Sequence, residues 1–260
     1  MPNLPAHIYL ASQAASSLEH PTINQHLGSF LLGATAPDIR SIIKCRREQT
    51  HFATLKVNNV GEGVEAMFKT YPNLRHGNAV NQPTQAFIAG YINHLIADES
   101  WIVGVFRIYF DNHPTPINQM RAHMWDRAIQ LEMDRVARVE LNDMVNIRSL
   151  MDGAENDVSL DFIDPGTLTK WREWVAEFNS WEFSWERLHR IFSRTYGVDG
   201  IAHEMVRQFI DDLPKSLDQL SDILPFEKVS DYQNRAIQTS INFIKEYFSA
   251  VTTSSGASSS

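Results

Sequence analysis

Apolar residues return every three to four positions along most of this chain, the spacing that places them on one face of an α-helix. No segment of useful length alternates apolar and polar residues in the two-residue period typical of a strand. The pattern therefore predicts an all-α, multi-helix bundle. Helices are expected over residues 5–18, 23–33, 60–70, 120–141, 168–194, 199–212 and 226–249, and over a segment that begins near Pro83 and includes 90–101.

Polar and turn-rich segments interrupt the helical pattern. The stretch IRSIIKCRREQTHF, residues 39–52, is predicted to be irregular. Residues 151–167, MDGAENDVSLDFIDPGT, are the best candidate for a boundary between a core of residues 1–150 and a C-terminal helical region of residues 151–250. They are equally consistent with a long loop within one domain. Residues 251–260 have the composition of a flexible, disordered tail.

Composition limits the classes of protein that this chain can represent. Hydrophobic residues make up 43% of the 260 positions, and the net charge of -8 argues against broad binding to nucleic acid, which depends on neutralising phosphates. The single cysteine, Cys45, excludes an intramolecular disulfide and a thiolate metal site. Neither a secretory signal nor a membrane-spanning segment is recognised, so a cytoplasmic protein is expected. No pattern indicates an oligomeric state.

The segment GYINHLIADESW, residues 90–101, places a histidine and an aspartate on one side of an otherwise apolar helix. His94 and Asp98 lie four positions apart, one above the other on the helix surface. They can bind one divalent ion together, or they can simply hydrogen-bond to each other. Gly90, one turn before His94, would leave space beside such an ion.

Three more residues, His7, Asp38 and His51, each have an ordinary interpretation as a core or capping histidine, a turn aspartate and a surface histidine. Together with His94 and Asp98 they offer imidazole nitrogen and carboxylate oxygen without sulfur. That ligand set is typical of catalytic zinc or a related divalent ion. Such a site keeps a position for water, and zinc lowers the pKa of that water to near neutrality.

The order and context of these residues resemble the zinc-dependent phospholipase C family, in the superfamily that includes the zinc-dependent single-strand nucleases. The resemblance follows His7, LGATAPDIR, THF and FIAGYINHLIADESW over roughly residues 1–140. It implies an all-α bundle of the zinc-dependent phospholipase C type with additional C-terminal helices. It also implies that Asp38, His51, His94 and Asp98 share one zinc ion, that Asp98 bridges to a second ion also held by His7, and that Asp38 is a candidate general base.

The chain departs from the family pattern at its second and third ions. No tryptophan precedes His7 to supply a terminal amino ligand, and no HxxxE pair is present. One or two zinc ions are therefore expected, with another divalent ion as the alternative. His123, Asp126 and Asp134 are candidate ligands for an additional ion. The alternative is that both aspartates pair with neighbouring arginines on a solvated helix face.

Arginines and aromatic residues outside this ligand set have simpler interpretations. Arg40, Arg46 and Arg47 flank two of the proposed ligands and could bind a substrate phosphate, although a solvated loop is equally consistent. An aromatic stripe at helical spacing is expected to pack in the core. It consists of Trp171, Trp174, Phe178, Trp181 and Trp185.

The leading hypothesis is a metal-dependent hydrolase of phosphoester bonds that uses metal-activated water. The substrate would be a small-molecule or lipid phosphoester, and the lipid rests on the family resemblance alone. One alternative is a helical binding or scaffold protein with a structural or degraded metal site. A second, an HD-type metal phosphohydrolase, predicts an adjacent His-Asp dipeptide, which the sequence lacks.

Overall fold

The computed structural model describes residues 2–75, 80–111, 113–144, 146–196, 200–213 and 217–255. Helices account for most of these residues and no strand occurs among them, so the all-α prediction is confirmed. The α-helices are α1 (Leu4–Leu18), α2 (Pro21–Gln25), α3 (Leu27–Gly33), α4 (Glu62–Thr70), α5 (Gln82–Trp101), α6 (Arg107–Tyr109), α7 (Pro116–Met144), α8 (Ile147–Met151), α9 (Pro165–Ser180), α10 (Arg187–Tyr196), α11 (Gly200–Asp212), α12 (Leu217–Ile223) and α13 (Phe226–Ser255). A π-helical turn, Ile102–Phe106, joins α5 to α6, and 3-10 turns cover Ala36–Ser41, Arg47–Gln49 and Pro72–Arg75.

Two segments that were each predicted as one helix are two helices. The first breaks at His26, whose φ of -121° and ψ of 44° leave the helical region, and the change of direction sets α3 against α5. The second breaks after Ser180, where Trp181 is extended. Arg138 donates hydrogen bonds to backbone carbonyls at this end of α9. These bonds satisfy carbonyls that a continuing helix would otherwise have used.

Small residues bring α3 and α5 into backbone contact. A Cβ atom at Gly33 would lie 2.0 Å from the Phe87 carbonyl oxygen, and one at Gly90 would lie 1.9 Å from that of Phe30. Gly90 therefore makes room for the backbone of α3, and not for an ion as its position in the sequence suggested. This close approach of the two backbones fixes the position of the C-terminal end of α3, and with it the start of the following loop.

Two hydrophobic clusters form the core, and each contains residues from both sides of position 150. Trp171 and Ile244 pack in the first with residues of α1, α3 and α5. Leu188 and Tyr232 pack in the second with residues from the end of α5 and from α7. Because neither cluster is complete without the later helices, we propose that residues 151–250 belong to the same domain as residues 1–150.

The aromatic stripe lies only partly in this core. Trp171 and Phe178 are buried, as predicted, but Trp181 is 42% exposed because α9 ends immediately before it. The C-terminal helix α13 continues to Ser255, into the segment predicted as a tail, and residues 256–260 lie outside the described residues. In the described part of the chain, each helix is too short or too polar to cross a lipid bilayer.

Candidate metal centre

Three parts of the chain meet at a buried group of imidazoles and carboxylates. The first turns of α1 supply His7, the segment after α3 supplies Asp38 and His51, and α5 supplies His94 and Asp98. Two overlapping groups can be distinguished, His7 with His94 and Asp98, and Asp38 with His51 and His94. Within each group, one ligand atom per residue lies within 4.8 Å of the others. All five residues proposed from the sequence thus lie together.

The Asp98 carboxylate lies between the three imidazoles. Its Oδ1 is 3.4 Å from Nε2 of His7, while its Oδ2 is 3.2 Å from Nε2 of His51 and 3.9 Å from Nε2 of His94. Each oxygen therefore faces a different side of the group. This arrangement suits a carboxylate that contributes to more than one charged contact.

The tautomer of His94 follows from its hydrogen bond to the backbone. Nδ1 lies 2.8 Å from the carbonyl oxygen of Ala34, and because a carbonyl only accepts, Nδ1 must carry the hydrogen. The lone pair on Nε2 then faces the group. Metal-binding histidines are commonly oriented in this way, by a hydrogen bond from the other ring nitrogen to a backbone carbonyl. The ring of His7 stacks on that of His94, with centroids 3.7 Å apart and planes 9° apart.

Asp38 and His51 form the more accessible side of the group. Nδ1 of His51 is 3.1 Å from the Thr50 hydroxyl, and Nε2 is 3.7 Å from Oδ1 of Asp38. The Tyr91 hydroxyl donates to the Thr50 carbonyl, which ties this loop to α5. The side chain of Asp38 is 26% exposed, whereas the other four are buried. Asp38 is therefore the member of the group that solvent can reach.

Several atoms of this group are buried and lack any hydrogen-bond partner among the described residues. They are both ring nitrogens of His7, Nε2 of His51, Nε2 of His94 and Oδ1 of Asp98. Buried polar atoms are normally paired, and leaving several unpaired in one place is costly. Lone pairs of nitrogen and carboxylate oxygen that converge in this way fit a divalent cation such as zinc.

The surroundings of His94 and Asp98 keep both side chains in the protonation states that bind metal. Burial, followed by the influence of His7, lowers the pKa of His94 well below its usual value, so its ring is neutral. Burial alone would raise the pKa of Asp98. The charge of Arg47 and contacts from His51 and His7 outweigh it, and that pKa lies well below the ordinary range. A neutral imidazole and an ionised carboxylate are the forms that bind metal.

Of the three neighbouring arginines, only Arg47 reaches this group. Its Nη2 donates to Oδ2 of Asp98 at 2.8 Å, while the side chains of Arg40 and Arg46 are exposed. The His51 amide donates to the Arg47 carbonyl, which sets these two side chains one turn apart. Because this stretch has no helical periodicity in the sequence, no local pattern distinguished Arg47 from Arg40 and Arg46.

Glu99 is a second residue that the sequence did not single out. It is buried, and its carboxylate accepts hydrogen bonds from the amides of Gly61 at 2.5 Å and Gly63 at 2.7 Å. Burial nevertheless raises the pKa of Glu99 to about 7. Gly61 and Gly63 begin α4, so Glu99 caps this helix from α5 and holds the loop beyond His51 in place.

The residues considered for an additional ion have other partners. Asp126 accepts hydrogen bonds from Nε1 of Trp101 at 2.9 Å and from Gln130 at 2.8 Å. Asp134 accepts from the Ala6 amide at 3.4 Å, and His123 stacks on a phenylalanine ring. No third metal-ligand group occurs among the residues that the structure describes. The prediction that both aspartates lie on a solvated face was wrong, since both are buried between helices.

Comparison with known families found one whose model spans this group of residues. A family model described as zinc dependent phospholipase C matches residues 6–182. The matched span contains all five residues of the group and extends beyond the region of resemblance seen in the sequence. No curated protein and no solved structure matches the chain.

Proposed function

This chain belongs to the zinc-dependent phospholipase C family, and we propose that it hydrolyses phosphoester bonds at a zinc site formed by His7, Asp38, His51, His94 and Asp98. The observation that carries the proposal is the set of converging, buried and unpaired nitrogen and oxygen atoms in this group. A cation would satisfy them together, whereas hydrogen bonds within the group leave most of them unpaired.

The residues of the group would have different tasks in holding zinc. His94, with Nδ1 fixed by Ala34, and His51, with Nδ1 beside Thr50, each offer Nε2 in a fixed direction. Asp98 contributes charge from the centre of the group. Zinc held by these residues would supply a water of near-neutral pKa and would withdraw charge from a phosphoryl oxygen. The number of ions, one or two, is part of the proposal.

We assign the role of general base to Asp38. Its carboxylate is partly exposed and makes only a long contact, 3.7 Å, with His51. It can therefore both reach a water molecule and release the proton to solvent. Asp98 is less suited to this role, because it is buried and its Oδ2 accepts a hydrogen bond from Arg47. The substrate is proposed to be a lipid or small-molecule phosphoester.

Metal analysis combined with a generic phosphodiester assay tests this proposal. Wild-type protein purified without added zinc is expected to contain zinc, and His94→Ala and Asp98→Ala are expected to lose most of it. His113→Ala, which removes an exposed histidine, serves as the matched control and should retain the wild-type content. Asp38→Asn is expected to keep zinc and to lose hydrolysis by roughly a hundredfold or more, as is typical when a general base is removed.

The results separate an enzyme from a scaffold. Zinc that depends on His94 and Asp98, without hydrolysis of any phosphoester, would indicate a structural metal site and contradict the enzymatic part of the proposal. Wild-type protein that contains no metal and takes up none from solution would contradict the whole proposal.

A further inference from the structure

The guanidinium of Arg47 lies inside the metal centre and not at its edge. Its side chain is 10% exposed, and Nη2 donates to Oδ2 of Asp98 at 2.8 Å. Asp98 in turn contacts all three imidazoles of the group. A fixed positive charge therefore lies next to the carboxylate at the centre of the site.

Two of the three guanidinium nitrogens of Arg47 have no hydrogen-bond partner in the part of the chain that the structure describes. Nε and Nη1 are buried and donate no hydrogen bond to any described residue. Because the guanidinium is planar and rigid, these donors lie beside Asp98 together with Nη2. Guanidinium hydrogens in proteins are normally directed at carbonyl, carboxylate or phosphate oxygens. The unpaired donors thus indicate an acceptor that the described residues do not supply.

The number of available ligand atoms limits how many ions the centre can bind. The two candidate groups share His94, and only Nε2 of that ring is available, because Nδ1 donates its hydrogen to Ala34. A single lone pair binds a single ion. A second dication near Oδ2 of Asp98 would also face repulsion from the Arg47 guanidinium. These features favour one ion and one guanidinium over two ions.

We propose that Arg47 binds the phosphoryl group of the substrate, and that its guanidinium provides the second positive charge beside a single zinc ion. Its unpaired N–H donors would bind non-bridging phosphoryl oxygens. This inference rests on the proposed function, since it requires a phosphoester at the zinc site. Phosphoryl transfer requires that the negative charge on these oxygens be stabilised. Both metal ions and guanidinium groups can provide this stabilisation.

Inorganic phosphate is the probe for this site, and three substitutions distinguish the roles of Arg47. Zinc-loaded wild type, Arg47→Met, Arg47→Lys and Arg121→Met are compared for zinc content by native mass spectrometry and for phosphate binding by calorimetry. Arg121 is an exposed arginine of α7 and provides the matched loss of charge. Calorimetry measures binding without turnover, so the result does not depend on enzymatic activity.

Wild type is expected to contain one zinc ion per chain. Arg47→Met should retain that ion and bind phosphate at least about tenfold more weakly, because charge-assisted hydrogen bonds between a guanidinium and a phosphate are among the strongest that proteins form. Arg47→Lys should show an intermediate affinity, since a lysine keeps the charge without the planar donors. Arg121→Met should match the wild type.

Several outcomes would overturn the inference. Two zinc ions in the wild type would contradict the single-ion centre. Equal phosphate affinity in zinc-loaded Arg47→Met and wild type would limit Arg47 to a structural role. If wild type binds zinc and phosphate through Arg47 but hydrolyses no phosphoester, the enzymatic proposal fails and the role of Arg47 stands. Wild type without zinc overturns both.

Discussion

The absence of a side chain at Gly90 affects a metal ligand one turn away. The backbone of α3 lies against Gly90, and the same contact brings the Ala34 carbonyl to Nδ1 of His94. That hydrogen bond determines which nitrogen of His94 faces the centre. Packing between two helices and the chemistry of the site therefore depend on the same glycine.

Replacing Gly90 with alanine is expected to destabilise the protein. The added Cβ atom would lie 1.9 Å from the Phe30 carbonyl oxygen, so α3 must move away from α5. Overpacking of this kind costs roughly 1–3 kcal/mol, and movement of Ala34 should also weaken zinc binding. Urea unfolding and zinc titration measure the two effects.

The matched control for this change is Gly166→Ala in α9. A Cβ atom there comes no closer than 3.4 Å to a neighbouring atom, and alanine favours a helix. Its stability should equal or slightly exceed that of the wild type. A Gly90→Ala protein as stable as the wild type, with unchanged zinc affinity, would show that α3 does not orient His94.

The sequence pattern predicted the five residues of the candidate centre but not the residues that organise them. Their residue types and order pointed to a common site. Arg47 could not be separated from Arg40 and Arg46, because the segment between α3 and α4 has no periodic pattern that would fix the direction of a side chain. Glu99 was overlooked since its partners are backbone amides, which the identities of side chains do not reveal.

At the scale of elements, α7 anchors the helix that carries His7. Asp134 of α7 is buried beside the N-terminus of α1, where the Ala6 amide donates to it, and Arg187 of α10 lies 3.8 Å away. Burial raises the pKa of Asp134 to about 6, although Arg187 and hydrogen bonds from Asn3 and Ala6 act in the opposite direction. Its charged form is therefore less favourable in the folded chain than in the unfolded one.

This pKa predicts a specific dependence of stability on pH. The pKa of an aspartate in an unfolded chain is about 4. Between that value and about 6, the folded chain binds the proton more tightly, so the unfolding free energy contributed by Asp134 falls as pH rises. The Asp134→Asn variant does not lose stability in this way, because asparagine has no proton to release in this pH range. Relative to the wild type, its stability should increase by on the order of 2 kcal/mol from about pH 4 to about pH 7.

Urea unfolding with a chelator present checks this prediction, because the chelator removes the separate effect of protons on zinc binding. Asp222→Asn, an exposed aspartate of α12, is the control, and its curve should run parallel to that of the wild type. A parallel curve for Asp134→Asn as well would mean that the folded carboxyl titrates as it does in the unfolded chain.

Periodicity predicted where helices occur better than where they end. The breaks at His26 and after Ser180 both depend on distant parts of the chain. The first places α3 against α5, and the second is stabilised by Arg138 of α7, which donates to carbonyls at the end of α9. A local pattern of apolar residues contains no information about these distant partners. The amphipathic pattern runs across each break, and it therefore predicted one continuous helix where the structure has two.

At the scale of the whole molecule, the helices after residue 150 support the helices that form the metal centre. Nε1 of Trp171 donates to the Thr35 hydroxyl at 3.0 Å, one residue from the carbonyl that orients His94. The Tyr232 hydroxyl donates to the Ala97 carbonyl at 3.1 Å, one residue before Asp98. The segment that follows α3 and the C-terminal part of α5 are therefore both held by residues of the later helices.

A fragment of residues 1–150 is accordingly expected not to fold by itself. Without Trp171 and Tyr232, both hydrophobic clusters would be open to water, and truncating one such buried aromatic side chain alone costs about 3–5 kcal/mol, a large part of the stability of a typical domain. The fragment should unfold without a cooperative transition and bind zinc weakly, whereas a fragment of residues 1–250 should resemble the full chain. Circular dichroism and zinc titration compare them. Cooperative unfolding of the shorter fragment with full zinc affinity would instead mark residues 1–150 as an independent domain, and the later helices as an addition to a complete metal centre.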